Sequence, residues 1–207
     1  MKNYRLISNK TGFTIVELLI AMGVFSFVLL LVTVVIIGIG NLYSKGINLS
    51  RNQDTVRNIV NDIAQNIAYN SSPPITSSPA SVNALCIGDI RYTYVTGKRI
   101  GDGTPPYKHV LWRDKLSSPG SCPTADLTLT EPSTSSNGGI VGSGVEMIPG
   151  NTQILTLTIT NSSPYTINMT IAYGDPSNIN ASNQCKSSSN SQNCAVSSLT
   201  TSVVRRL

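Results

Sequence analysis

Side chains that could carry out catalysis are few in this 207-residue sequence. His109 is the only histidine, which argues against a Ser-His-Asp triad although serines are numerous. The sequence also lacks the G-x-S-x-G, P-loop and H-E-x-x-H motifs. We therefore interpret His109, next to Lys108, as a surface histidine. We expect a protein that is not an enzyme and that needs no cofactor.

Four cysteines are the second group with reactive side chains: Cys86, Cys122, Cys185 and Cys194. None of them forms a C-x-x-C pair, so a zinc site would need thiolates from scattered positions. An even number of cysteines in an exported chain favours two disulfides, for which three connectivities are possible. Cys185 with Cys194 is the favoured pair, because the segment between them is polar and needs a covalent link to hold it. Cys86 with Cys122 then follows by elimination.

Charge and composition indicate an exported protein. Charged residues make up only 12% of the chain, and Ser, Thr and Asn are abundant, which is typical of a β-rich exported surface. The formal charge is +5, but Lys2, Arg5 and Lys10 precede a long apolar stretch. Without these three side chains, twelve basic residues face ten acidic ones, and the net charge is +2. The basic balance is therefore weak evidence for a nucleic-acid partner.

Glu17 is the most unusual residue, because it lies inside the apolar stretch from Phe13 to about Gly40. This stretch exceeds the about 20 residues that a membrane-spanning helix needs, and it is too long for the core of an ordinary signal peptide. We expect a retained anchor, with the basic N-terminus in the cytoplasm and the C-terminal part outside. A carboxylate in such a helix costs a few kcal/mol, so Glu17 should have a partner, unless the helix begins later and leaves Glu17 among the headgroups.

The residues around Glu17 follow a known processing motif. Gly12 and Phe13 come directly before the apolar run, and Glu17 is the fifth residue counted from Phe13, in the stretch GFTIVELL. With its short basic leader, this segment resembles the N-terminus of type IV pilins and type II secretion pseudopilins. The resemblance implies that a prepilin peptidase cuts between Gly12 and Phe13 and methylates the new N-terminal phenylalanine. It also implies that Glu17 pairs with the N-terminal amine of a subunit during assembly.

The resemblance extends to fold, partners and location. It implies a pilin-like fold, assembly with other pilin or pseudopilin subunits, and contact with an inner-membrane assembly platform. The chain would lie in the lipid bilayer of the cytoplasmic membrane before assembly and in a cell-surface filament afterwards. The segments ALCIGDIRYTYV, HVLWRD and QNCAVSSLTTSVV resemble J-type pseudopilins and W-type minor pilins, which implies a role in starting or capping a filament for adhesion, motility, DNA uptake or secretion. The alternative is a membrane-anchored surface adhesin that never polymerises.

The apolar stretch departs from the family in one respect. Many pilins carry a proline about two-thirds along the helix, whereas this chain reads LVTVVIIGIG there. Gly38 and Gly40 are therefore expected to loosen the helix nearer its exit. A second weak point is expected around Lys45 and Gly46.

The chain is divided into a leader (1–12), a hydrophobic helix (13–40), an amphipathic helix (41–70), a linker (71–81) and a globular β-rich domain (82–207). Helical spacing within 41–70 gives one apolar stripe, formed by Val56, Ile59, Val60, Ile63 and Ile67.

In the globular part, alternation and turn residues predict strands within 82–88, 90–97, 107–115, 125–130, 152–160 and 165–173. Residues 199–207 form either a closing strand or a frayed tail. We predict an α+β fold, with the long N-terminal helix packed on a C-terminal antiparallel sheet.

Two further binding functions have some support in the sequence. Basic residues interleaved with aromatic ones occur at Lys98, Arg99, Tyr107, Lys108, Trp112, Arg113 and Lys115, a pattern that single-stranded nucleic acid can use. A solvated sheet edge explains the same pattern more simply, so nucleic acid remains a weakly supported partner. Four aspartates, Asp89, Asp102, Asp126 and Asp175, lack the spacing of a calcium loop, so no metal site is predicted.

Overall fold

The computed structural model describes residues 12–79, 81–134, 137–186 and 193–206. The leader before Gly12 lies outside the described residues. The chain divides into two compact units, Met1–Tyr43 and Ser44–Leu207.

One helix, α1, runs from Ile15 to Tyr69. It contains no proline, and it ends shortly before Pro73 and Pro74, which could not continue it. The expected loosening near Gly38 and Gly40 and the weak point at Gly46 are absent from the described residues, because the helix is continuous through all three glycines. A glycine costs about 1 kcal/mol relative to alanine, which is too little by itself to interrupt a helix of 55 residues.

The strands form two antiparallel sheets rather than the single sheet expected. The first sheet has five strands in sequence order: β1 (Ile75–Ser77), β2 (Val82–Ile87), β3 (Ile90–Val95), β4 (Leu111–Lys115) and β5 (Val145–Glu146). The second has three strands: β6 (Thr152–Ile159), β7 (Tyr165–Tyr173) and β8 (Ala195–Val203). A parallel bridge between Thr96 and Ile154 connects the two sheets.

Several predicted boundaries were wrong. The linker 71–81 contains β1, which pairs with β2. The Pro- and Ser-rich sequence of this segment does not predict a strand, because the pairing depends on backbone hydrogen bonds to β2. Residues 125–130 contain a turn at Leu127 and Thr128 instead of a strand, and the Asp126 side chain accepts hydrogen bonds from the Thr128 amide and hydroxyl. The strand expected from Tyr107 begins only at Leu111, and the last strand begins at Ala195 rather than Leu199.

The core of the second unit forms between the helix and both sheets. The predicted stripe from Val56 to Ile67 is almost fully buried, and it packs with Tyr92 and Leu111 of the first sheet and Ile167 of the second. Burial of such apolar area is the main favourable term in folding. The prediction of an α+β fold with the helix packed on antiparallel β-structure is confirmed.

Candidate functional site

The predicted cleavage bond lies just ahead of the helix. Gly12, Phe13 and Thr14 have no regular secondary structure, and all three are exposed, Phe13 to 86%. Helix α1 begins at Ile15, so the bond between Gly12 and Phe13 is outside the helical hydrogen-bond ladder. A peptidase can therefore reach this bond without unwinding a turn of helix.

Glu17 and Thr14 form a capping box at the start of α1. The Thr14 amide and hydroxyl both donate to Glu17 Oε2, at 2.9 and 3.0 Å. In return, the Glu17 amide donates to Thr14 Oγ1 at 3.2 Å. These bonds satisfy two N–H groups that the first turn of a helix leaves without partners, and the helix dipole favours a negative charge at this end.

The capping box leaves part of the carboxylate available. Glu17 Oε1 accepts no hydrogen bond from any described residue, and the side chain is exposed. An ionised carboxylate has about four acceptor positions, of which Thr14 uses two. A second donor can therefore bind Glu17 while the helix start stays capped. An α-amine created at Phe13 would lie one residue before Thr14.

The first unit exposes an apolar helix surface. All the large apolar side chains from Phe13 to Ile39 are exposed, including Leu30 at 68%. The helix is long and apolar enough to cross a membrane. The hydroxyl groups of Ser26 and Thr33 are hydrogen-bonded within the helix, since each donates to the carbonyl four residues earlier, at 2.8 Å. Polar groups need such hydrogen bonds within the helix where no water is available to bond them.

The second unit holds its part of α1 with a polar cluster. Tyr92 of β3 donates to Asp62 Oδ2 at 2.6 Å, and Arg113 of β4 reaches the same oxygen at 3.0 Å. Asn66, one turn further along α1, donates to the Tyr92 hydroxyl at 2.7 Å. Burial, and then the bond to Asp62, raises the pKa of Tyr92 above its usual range, so the hydroxyl remains a donor. These contacts lock the helix to two adjacent strands.

A buried ion pair organises the long loop after β4. Arg91 and Asp114 occupy paired positions on β3 and β4, and both side chains are 0% exposed. Arg91 also donates to the carbonyls of Pro123 and Asn137, and Asp114 accepts from the Ser133 hydroxyl at 2.7 Å. The pair is therefore surrounded by hydrogen bonds, as a buried charge pair must be. The pair was not predicted from the sequence, where the only signal was that Arg91 lies between apolar residues on a predicted strand and Asp114 lies on the next one.

His109 is not the surface residue that we expected. Its Nδ1 lies 3.2 Å from Glu146 Oε2, its ring centroid lies 4.3 Å from that of Trp112, and its side chain is only 14% exposed. Glu146 also accepts the amides of Val110, Leu111 and Ile148, each at 3.1 Å. Burial raises the pKa of Glu146 despite these bonds. His109 and Glu146 are 37 residues apart in the sequence, so no local pattern predicts their pairing.

The structure contains two disulfides, and they are the pairs favoured from the sequence. Cys86 of β2 is bonded to Cys122, and Cys185 is bonded to Cys194 just before β8. The second disulfide closes a loop with a sequence separation of 9 residues. The first disulfide ties Cys122, in the long loop after β4, to the buried strand β2, and the second closes the polar loop before β8.

Three of the seven basic and aromatic residues that could contact nucleic acid are engaged in ion pairs or buried. Arg99 pairs with Asp102 and Asp175, Arg113 pairs with Asp62, and Trp112 is buried. Over the described ranges, no group of three or more His, Cys, Asp or Glu side chains could hold a metal ion.

Comparison with known protein families decides the identity of the N-terminal segment. Residues 7–33 match the model of the prokaryotic N-terminal methylation motif. These residues carry the signature of type IV pilins and pseudopilins. Proteins with this motif are filament subunits that assemble with other pilin subunits and are processed by prepilin peptidase. No curated protein and no solved structure matches the chain. The pilin motif covers Gly12, Phe13 and Glu17 but none of the eight strands.

Proposed function

We propose that this chain is a minor subunit of a type IV pilus-like or pseudopilus filament. The pilin-type motif supports a structural role in such a filament. In this proposal, prepilin peptidase cuts between Gly12 and Phe13 and methylates Phe13. Before assembly, the subunit lies in the cytoplasmic membrane with its N-terminus in the cytoplasm and its β-rich unit outside. An assembly platform then transfers it into the filament.

The arrangement of Glu17 carries the proposal. Its Oε2 holds the helix start through Thr14, while Oε1 accepts no bond from the described residues. Cleavage creates a cationic amine at Phe13, and an incoming subunit would bring such an amine to the exposed carboxylate. In a medium of low dielectric the two charges attract strongly, and each reduces the cost of burying the other. Glu17 would thereby set the register between neighbouring helices.

The apolar surface of the helix supports the same function. A surface with this many exposed apolar side chains needs lipid or other helices around it. Exchanging lipid for the helices of neighbouring subunits keeps that surface away from water throughout assembly. The minor role, in starting or capping a filament, is supported by the size of the β-rich unit and by its resemblance to J-type pseudopilins and W-type minor pilins.

Mass spectrometry of the N-terminal peptide, from native membranes and sheared filaments, tests the processing step. We expect a chain that begins at N-methylated Phe13. A Gly12→Val variant is the matched control, because a Cβ at position 12 meets no atom of the described residues within 4 Å and the change should leave the fold intact. This variant should keep its leader. A wild-type chain that begins at Met1 would contradict the proposal and leave the membrane-anchored adhesin as the better reading.

A further inference from the structure

A polar cavity opens at one end of the three-stranded sheet. Strands β6 and β8 begin at this end and β7 ends here, because neighbouring strands run antiparallel. The loops at these three strand ends, with Arg99 from the segment after β3, border an open cavity of about 480 Å³. The polar side chains that line the cavity are Arg99, Asn151, Tyr173, Asp175, Asn178 and Asn193. Loops on a rigid sheet are common positions for binding residues.

The walls of the cavity are held in place by covalent and polar contacts. Arg99 Nη2 lies 3.1 Å from Asp175 Oδ2, which links the segment after β3 to the end of β7. Cys194, bonded to Cys185, follows Asn193 directly. Gly174 has a φ of +106°, and a Cβ there would lie 2.2 Å from the Asn193 carbonyl oxygen. Only glycine therefore allows the two segments to approach this closely. A preformed site loses little conformational entropy when it binds.

Three amides in the lining have no partner among the described residues. The side chains of Asn151, Asn178 and Asn193 make no hydrogen bond to any other residue that the structure describes. Each amide offers two donors and one acceptor oxygen. The cavity thus presents several donors and acceptors from three separate segments, which suits a small ligand with many polar groups.

The lining carries no net charge. The carboxylate of Asp175 faces the guanidinium of Arg99, which also contacts Asp102. Hydrogen bonds from Ser177 lower the pKa of Asp175, so the carboxylate stays ionised and neutralises Arg99. An anionic ligand would have to displace these carboxylates from Arg99, and a cationic ligand would have to displace Arg99 from Asp175.

We infer that this cavity binds a neutral saccharide. A sugar has many hydroxyl groups that can donate and accept, which matches the unpaired amides of Asn151, Asn178 and Asn193. It carries no charge, which matches the neutralised lining. Its apolar C–H groups can contact an aromatic ring, which Tyr173 provides. The inference goes beyond the proposed filament function and does not depend on it.

An array of neutral and sialylated oligosaccharides tests the inference. The probe is the full chain in a zwitterionic detergent, because the sugar headgroup of a maltoside detergent would compete for the cavity. We expect binding to a subset of the neutral oligosaccharides. Failure to bind any oligosaccharide, or binding to sialylated ones alone, would overturn the inference.

Matched asparagine variants assign the binding to the cavity. Asn178→Ala should weaken binding of the best neutral oligosaccharide at least about tenfold, because two or more hydrogen bonds are lost. Asn151 lies in another loop, and Asn151→Ala should weaken oligosaccharide binding similarly. This variant replaces Asn178→Ala in the test if Asn178→Ala does not fold. Asn168→Ala is the control, since Asn168 is exposed on β7 outside the cavity and should bind as the wild type does. Unchanged affinity in a folded Asn178→Ala or Asn151→Ala variant would refute the assignment.

Discussion

Replacing Glu17 by glutamine separates its two roles, capping and charge pairing. A glutamine keeps an amide oxygen that can accept from the Thr14 amide, and Thr14 Oγ1 still accepts from the amide of residue 17. The negative charge is lost. Thr14→Ala is the converse change, because it removes the hydroxyl of the capping box and leaves the carboxylate. If assembly depends on the charge of Glu17, only Glu17→Gln should abolish it.

The expected magnitudes differ widely. Two unit charges about 4 Å apart attract by about 4 kcal/mol at an effective dielectric constant of about 20. Each 1.4 kcal/mol is a factor of ten, so Glu17→Gln should weaken docking of a subunit about a thousandfold. Loss of a threonine N-cap costs about 1 kcal/mol of helix stability. Since this cost falls on free and docked subunits alike, Thr14→Ala should change docking only a few-fold.

Immunoblots of sheared filaments and of membranes washed at alkaline pH provide the assay. Both variants should remain in the washed membranes, because the apolar surface that anchors the helix is unchanged. Filaments should lack the Glu17→Gln chain and contain the Thr14→Ala chain at near wild-type levels. Normal incorporation of the Glu17→Gln chain would refute the charge argument, and a loss as severe in Thr14→Ala would show that the cap matters instead.

Three further predictions concern the second unit and are read from urea or thermal unfolding of the full chain. Asp114→Ala leaves Arg91 buried without a counter-charge and should cost about 3–5 kcal/mol, whereas a cost below about 1 kcal/mol would contradict burial of the pair. Tyr92→Phe removes the hydroxyl that bonds to Asp62 and should cost about 1–2 kcal/mol, with the disulfides intact. Because burial raises the pKa of Glu146, its contribution to stability is present below the ordinary value of 4.5 and is lost as pH rises through the raised value. Glu146→Gln should flatten this part of the stability–pH curve, and an unchanged curve would refute the assignment.

Sequence reasoning worked where one contiguous segment carries the signal. The motif from Gly12 to Glu17 needs no tertiary contact to be recognised, and the match to residues 7–33 agrees with it. The apolar stripe from Val56 to Ile67 and the alternation in β6 likewise depend on a local period. Short strands such as β1 and β5 were not predicted, because two or three residues are too few to show a period. Such segments become strands only where the edge of a neighbouring strand is available for pairing.

The sequence by itself determined the N-terminal chemistry of this protein: a glycine–phenylalanine bond, a glutamate four residues later, and a helix too apolar for water. Only the tertiary structure decided which distant side chains meet. Arg91 finds Asp114 because β3 and β4 pair in one register, and a shift of one residue would send these side chains to opposite faces. That register follows from burial of the whole core, to which helix and both sheets contribute. The polar cavity exists for the same reason, since its lining comes from separate segments that no local pattern brings together.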